Sequence, residues 1–188
     1  MIRLTGKSGI CLCLLLLLCP GSLRAQDTLV VYYSRDGHTK KAADALAEKM
    51  DADTERLIDR KKRTGPIGTA AAGKDAVRGK MTVLDPLTHD PADYDIILIG
   101  TPSWFGNPTP AARTFVYNYD LTGKVVGVFS TAHLTGVEAA LEKLSAQIDP
   151  SRDIPALPLR HSDLKDQTVF DARVEEFISK IKLDKKKE

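Results

Sequence analysis

Cysteine is missing from most of this chain. Cys11, Cys13 and Cys19 are the only three, and all lie within the first 25 residues. Removal of that leader would leave no disulfide, no thiolate metal site and no cysteine nucleophile. An excess of charge of one sign is also missing. The leader holds three basic residues and no acid, so the other 163 residues carry 24 basic against 25 acidic side chains. Near-neutrality gives no support to a general polyanion-binding role, so nucleic acid is not expected as a partner. No internal repeat and no interdomain linker are evident. The one strongly apolar run, "ICLCLLLLLC" at 10–19, is ten residues long. That is too short to span a bilayer comfortably.

What is present begins with that leader. Arg3 and Lys7 precede the apolar run, Pro20 and Gly21 break it, and Ala25 offers a small residue before a cut. Residues 1–25 read as a secretory signal peptide, which predicts a mature chain from Gln26 that works in the periplasm or is secreted. An uncleaved membrane anchor and a misplaced start are the alternatives. Leu18 before Cys19 is too bulky for the usual lipidation signal. No twin-arginine pair is present, which favours export in an unfolded state.

Residues 26–183 read as one domain and 184–188 as a charged tail. Apolar residues make up 43% and charged residues 28% of the chain, which fits a packed core. Strand and helix patterns alternate from Thr28 onward. "TLVVYY" (28–33), "DIILIG" (95–100) and "VVGVF" (125–129) are continuous apolar runs, as strands buried on both faces require. "TERLID" (54–59) is polar. "IPALPL" (154–159) contains Pro155 and Pro158 and is restricted to a sheet edge. Helical stripes lie between: Ala42, Ala43, Leu46, Ala47 and Met50; a segment near Ala70–Arg78; Ala112, Phe115, Val116 and Tyr119; Val137, Ala140, Leu141, Leu144 and Ile148; and Phe170, Val174, Phe177, Ile178 and Ile181. The pattern predicts an α/β fold with a five-stranded parallel sheet. A polar second strand and a proline-broken fifth strand both belong at edges, which selects the order 2-1-3-4-5. The stretch 60–80 has seven basic residues and one acid. It reads as a solvated basic face, with a docking patch as the alternative.

Ligands of such a sheet bind beyond the carboxyl ends of the strands. Three loops fall there: "SRDGHT" (34–39), "TPSWFGNP" (101–108) and "STAHLTG" (130–136). In the first, Ser34, Gly37 and Thr39 lead into a helix whose free N–H groups attract anions. A plain helix cap by Asp36 or Thr39 is the simpler alternative. In the second, Trp104 and Phe105 stand beside Gly106 in a loop, able to lie against a planar ring or to pack in the core.

On these motifs the chain resembles the flavodoxin family over nearly all of residues 27–183. Ser34-Arg35-Asp36-Gly37-His38-Thr39 is similar to the family's S-x-T-G-x-T phosphate loop. "YDIILIGTPSWFGNPTPAARTF" resembles its second flavin loop, and "GVFSTAHLTG" stands where the third belongs. The resemblance implies a flavodoxin-like doubly wound three-layer sandwich with flavin mononucleotide (FMN) as cofactor. By the same resemblance Ser34, Arg35, Asp36, Gly37, His38 and Thr39 hold the phosphate. Thr101, Pro102, Ser103, Trp104, Phe105, Gly106 and Asn107 form the loop bordering the isoalloxazine, where a peptide at Gly106 would turn its carbonyl toward the flavin N5–H. Ser130, Thr131, Ala132, His133 and Gly136 approach the pyrimidine side.

Two departures stand out. Asp36 replaces the usual hydroxyl residue, and the third loop offers His133 in place of an aromatic. A carboxylate beside a phosphate must turn to solvent, pair with Arg35 or Lys40, or cap the helix itself. The leading functional expectation is an exported FMN electron carrier with a redox partner protein. A similarity to flavodoxin-like NAD(P)H:quinone oxidoreductases supports a flavoenzyme as the alternative, with the basic 60–80 stretch meeting a nucleotide phosphate. A domain that has lost FMN and binds a partner is the third possibility.

Overall fold

The structure, a computed structural model, describes residues 28–61 and 65–186. The leader expected over 1–25, the last two residues of the tail and 62–64 of the basic stretch lie outside the described residues. Among the described residues there are five strands: β1 (Thr28–Tyr32), β2 (Asp53–Arg56), β3 (Ile96–Pro102), β4 (Val125–Ala132) and β5 (Ala156–Arg160). They alternate with helices α1 (His38–Met50), α2 (Gly65–Val77), α3 (Pro110–Asn118), α4 (Val137–Ile148), α5 (His161–Lys165) and α6 (Gln167–Lys185). All strands run parallel in the order β2-β1-β3-β4-β5, the flavodoxin-like arrangement that the sequence predicts.

The apolar runs explain this order. Successive residues of a strand face opposite sides, so a central strand needs apolar residues throughout. Val30, Leu98 and Phe129 face α1 and α6, where Ala42, Leu46, Phe170 and Phe177 complete one core. Leu29, Ile97 and Val126 face α3 and α4, where Ala112, Phe115, Leu141 and Leu144 complete the other. Each large side chain fully buried in this way contributes about 1.5–3 kcal/mol. The polar strand β2 stays at one edge. Its one buried residue, Glu55, accepts from the N–H groups of Thr88 and His89 and lies 3.0 Å from His89 Nδ1. Pro158 sits in β5 at the other edge, where a missing N–H leaves no neighbour unpaired.

Several boundaries differ from the sequence reading. Helix α2 begins at Gly65, before the expected Ala70, since proline in the first turn does not oppose a helix. Strand β5 leaves Pro155 outside and extends to Arg160. The final helix starts at Gln167, where the Asp166 carboxylate accepts from the N–H groups of Thr168 and Val169. It runs to Lys185, so the first residues of the expected tail are helical. The single-turn α5 had no periodic signal.

Candidate functional site

The loop after β1 turns tightly into α1. Gly37 adopts φ +87°, a left-handed conformation that glycine takes without steric cost, and its N–H donates to Ser34 Oγ at 3.2 Å. Gly37 is the N-cap, and no side chain caps the helix. The first intrahelical bond reaches Gly37 from Lys41, so the N–H groups of His38, Thr39 and Lys40 have no acceptor within the helix. This corrects the cap reading for both Asp36 and Thr39. The Asp36 carboxylate instead accepts from the Arg35 guanidinium at 3.1–3.2 Å, and Lys40 pairs with Asp44. Asp36 is 62% exposed, so its charge is matched at the rim and not spent on the helix. Arg56 donates to the Ser34 carbonyl and steadies the loop from β2.

The loop after β3 forms a closed turn. Trp104 and Asn107 exchange backbone bonds of 2.9 and 3.1 Å across Phe105 and Gly106. Phe105 at φ +51° and Gly106 at φ +69° both take the left-handed conformations of a type I′ turn. Asn107 Nδ2 donates to the Phe105 carbonyl, while Lys143 Nζ of α4 donates to the Gly106 carbonyl and to Asn107 Oδ1. Both carbonyls of the turn are therefore held by side chains. The two aromatics part company. Trp104 is buried against Ala72 and Ala76 of α2 and meets Tyr33 edge-on at 5.8 Å, with Arg35 5.6 Å above its ring. Phe105 is 81% exposed, and its ring lies over Gly73, where a Cβ would collide with it.

The loop after β4 is bound to the other two. Thr131 Oγ1 lies 2.8 Å from Thr39 Oγ1, and the Thr131 carbonyl accepts from Ser103 N–H. Ser103 Oγ donates to the Gly136 carbonyl at 2.7 Å. A Cβ on Gly136 would lie 3.0 Å from the Gly106 Cα, so the second and third loops touch backbone to backbone.

Together these loops enclose a cavity of about 140 Å³. Ser34, Arg35, Asp36, His38, Thr39, Pro102, Ser103, Trp104, Thr131, Ala132 and His133 line it. Of the residues singled out in the sequence, Gly37, Phe105, Gly106, Asn107 and Gly136 shape the loops around it without lining it. Thr101 sits deeper, bonded to Thr109 at the start of α3. Ser130 is fully buried, and its Oγ has no hydrogen-bond partner. Two larger hollows, of about 690 and 700 Å³, lie along β5 between α4 and α6 and at the opposite pole near Gly123. Neither is at the carboxyl ends of the strands with an uncapped helix, so the smaller cavity is the candidate site.

The sequence reading missed three contributors. Lys143 and Arg56 reach the loops from distant elements. His161 opens α5 and joins His38 and His133 in a cluster, with ring centroids 5.0 and 4.7 Å from theirs. Burial first, then Lys165 and the two neighbouring imidazoles, hold His161 below the ordinary histidine pKa. Among the described residues no group of His, Cys, Asp or Glu side chains is arranged to hold a metal ion.

Known structures share this architecture. A flavoprotein of Lactobacillus acidophilus NCFM, solved in complex with FMN, is 23% identical with a TM-score of 0.57, over 75% of this chain and 97% of that one. A candidate flavoprotein of Bacteroides uniformis is 29% identical with a TM-score of 0.56, over 71% and 88%. Oxidised flavodoxin 2 of Bacillus cereus is 17% identical with a TM-score of 0.54, over 81% and 95%. The family model described as flavodoxin matches residues 27–180, almost the whole of the sheet and its helices. The chain belongs to the flavodoxin family.

Proposed function

We propose that this protein binds FMN at the carboxyl ends of β1, β3 and β4 and serves as an electron carrier outside the cytoplasm. The uncapped N-terminus of α1 carries this reading. Three helix N–H groups without intrahelical acceptors stand at a cavity walled by Ser34, Thr39 and Trp104. Such an end attracts a phosphate ester through both its donors and its dipole. The pairing of Asp36 with Arg35 removes the main electrostatic objection. The L. acidophilus flavoprotein, solved with FMN, supports the choice of ligand.

In this reading the N–H groups of His38, Thr39 and Lys40 hold the phosphate, with Ser34 and Thr39 adding hydroxyls. Trp104 walls the ring side, backed by α2. Asn107 and Lys143 engage the carbonyls of the 104–107 turn, so a Gly106 carbonyl that turns toward the flavin would have to leave Lys143. When bound, FMN would supply the one- and two-electron chemistry, which the protein tunes by packing and hydrogen bonding. The signal peptide expected over 1–25 from the sequence is what supports action after export.

The test is a titration of purified protein with FMN, read by quenching of flavin fluorescence and by the visible spectrum. A yellow, saturable complex that dithionite bleaches and air restores supports the carrier reading. A protein that stays colourless with FMN would instead be a binding module. Steady NADPH oxidation with a quinone acceptor would assign the flavoenzyme alternative.

A further inference from the structure

Three of the chain's four histidines meet at one wall of this cavity. They come from three separate elements. His38 opens α1, His133 follows β4, and His161 opens α5. Their ring centroids are 5.9, 5.0 and 4.7 Å apart. His38 and His133 line the cavity, and His161 backs both. His161 Nδ1 is buried without a hydrogen-bond partner. The three rings do not have the arrangement of metal ligands, so a metal ion does not account for them.

The charges around the cluster are engaged elsewhere. On and before α1, Arg35 pairs with Asp36, Lys40 pairs with Asp44, and Lys41 donates to the Leu164 carbonyl. Glu138 of α4 pairs with Arg160 at the end of β5. Asp163 of α5 accepts from Arg160 N–H and lies 3.7 Å from Arg173 of α6, and Asp166 caps α6. Lys165 adds a nearby positive charge that opposes protonation of His161. Among the described residues no carboxylate bonds to any of the three rings. Without a ligand, burial, Lys165 and the neighbouring rings oppose a charge on His161; an anion in the cavity would favour one.

We propose that His38, His133 and His161 form a proton-linked phosphate subsite, in which an FMN phosphate seated on α1 draws a proton onto the cluster. This rests on the FMN reading and adds how the ligand's charge is matched. An opposite charge within about 4–6 Å favours the charged form of an imidazole. Binding that takes up a proton tightens as pH falls. A phosphate monoester has its second pKa near about 6, so it remains mainly dianionic above that value. The coupling therefore acts between about pH 6 and 8, around the ordinary imidazole range.

The experiment compares FMN with riboflavin, which has the same ring and no phosphate. Both are titrated by fluorescence into wild type, His161→Gln and the double variant His133→Gln/His161→Gln, across pH 6–8. Calorimetry at pH 7 in buffers of different ionisation enthalpy counts protons. Wild type should bind FMN at least about threefold more tightly at pH 6.5 than at pH 8, with net proton uptake. The single variant should keep part of that slope and the double variant little of it. Riboflavin affinity should be flat with pH in each of the three proteins, whatever its absolute value, and circular dichroism with thermal melts reports intact folding. Equal FMN slopes and equal proton uptake in wild type and double variant would overturn the proposal and leave the FMN reading standing. A matching slope with riboflavin would overturn it too. Failure of wild type to bind either flavin at any pH would remove both.

Discussion

The hydroxyl groups of Thr39 and Thr131 lie 2.8 Å apart in a buried contact between the first turn of α1 and the end of β4. Thr131 also pairs in register with Pro102, and its carbonyl accepts from Ser103 N–H. One residue therefore sets the spacing between the anion-binding end of α1 and both other loops. A shift of that contact would move the phosphate donors relative to the Trp104 wall.

Thr131→Val should destabilise the protein by about 1–3 kcal/mol, because it leaves the buried Thr39 hydroxyl without its partner. The double variant Thr39→Val/Thr131→Val should cost less than the two single changes added together, since no hydroxyl is then stranded. Urea unfolding of all three variants measures this. Strict additivity would mean that the two hydroxyls do not interact.

The two aromatics of the second loop should respond differently to truncation. Trp104→Ala removes a buried ring packed on Ala72 and Ala76 and should cost about 3–5 kcal/mol of stability. Phe105→Ala removes an exposed ring and should leave stability within about 0.5 kcal/mol. If Phe105 lies against the flavin, its loss should weaken FMN binding by about 1–3 kcal/mol, the range of base–aromatic stacking. Thermal melts paired with FMN titrations separate the effects. An unchanged FMN affinity in Phe105→Ala would show that this ring does not contact the flavin.

That division was not legible in the sequence, although the fold was. Strands β1, β3 and β4 declare themselves as unbroken apolar runs, and the polar β2 and the proline of β5 can only be edges. Periodicity reports burial against a neighbouring layer, and these elements have one. Whether Trp104 is covered depends on α2, whose small residues sit in a basic stretch with little amphipathic signal. His161 likewise reaches the site through the path of β5 and α5, with no local motif to mark it. Loop positions were readable from topology, while side-chain partners across loops were not.

Asp36→Thr should bind FMN at least as tightly as wild type. Asp36 now offsets Arg35 in an exposed pair worth about 0–1 kcal/mol, so its loss costs little stability. The change removes a like charge near the phosphate and frees the Arg35 guanidinium. The gain should grow at low ionic strength, where the Debye length reaches about 30 Å at 0.01 M. A tenfold loss of affinity, about 1.4 kcal/mol, would give the carboxylate a positive role in the loop.

Gly136→Ala should strain the contact between the second and third loops. Gly136 has φ +83°, a region that costs a residue with a Cβ about 1–2 kcal/mol. The new Cβ would also lie 3.0 Å from Gly106 Cα and 3.1 Å from its nitrogen. Loss of stability beyond the backbone term, with faster amide exchange at Gly106 and Asn107, is the expected result. Unchanged exchange would mean that the two loops are not mechanically joined.

Acid should weaken the flavin-free protein through His161. Burial, Lys165 and the two neighbouring rings lower its pKa in the folded state below the ordinary 6.5. The unfolded chain then binds a proton more readily than the folded one. The stabilising contribution is whole above about 6.5 and is lost as pH falls through that value toward the lowered folded pKa. His161→Gln removes the titrating group, so its melting temperature should fall less than that of wild type between pH 7.5 and pH 5. The melting temperature of His161→Gln minus that of wild type should rise toward low pH, whatever its value at high pH. With saturating FMN the proton-linked subsite reverses the argument, because a bound phosphate favours the charged ring. Melts with and without FMN over the same range therefore test both states. Parallel curves for the two flavin-free proteins would mean that His161 has no differential protonation on folding.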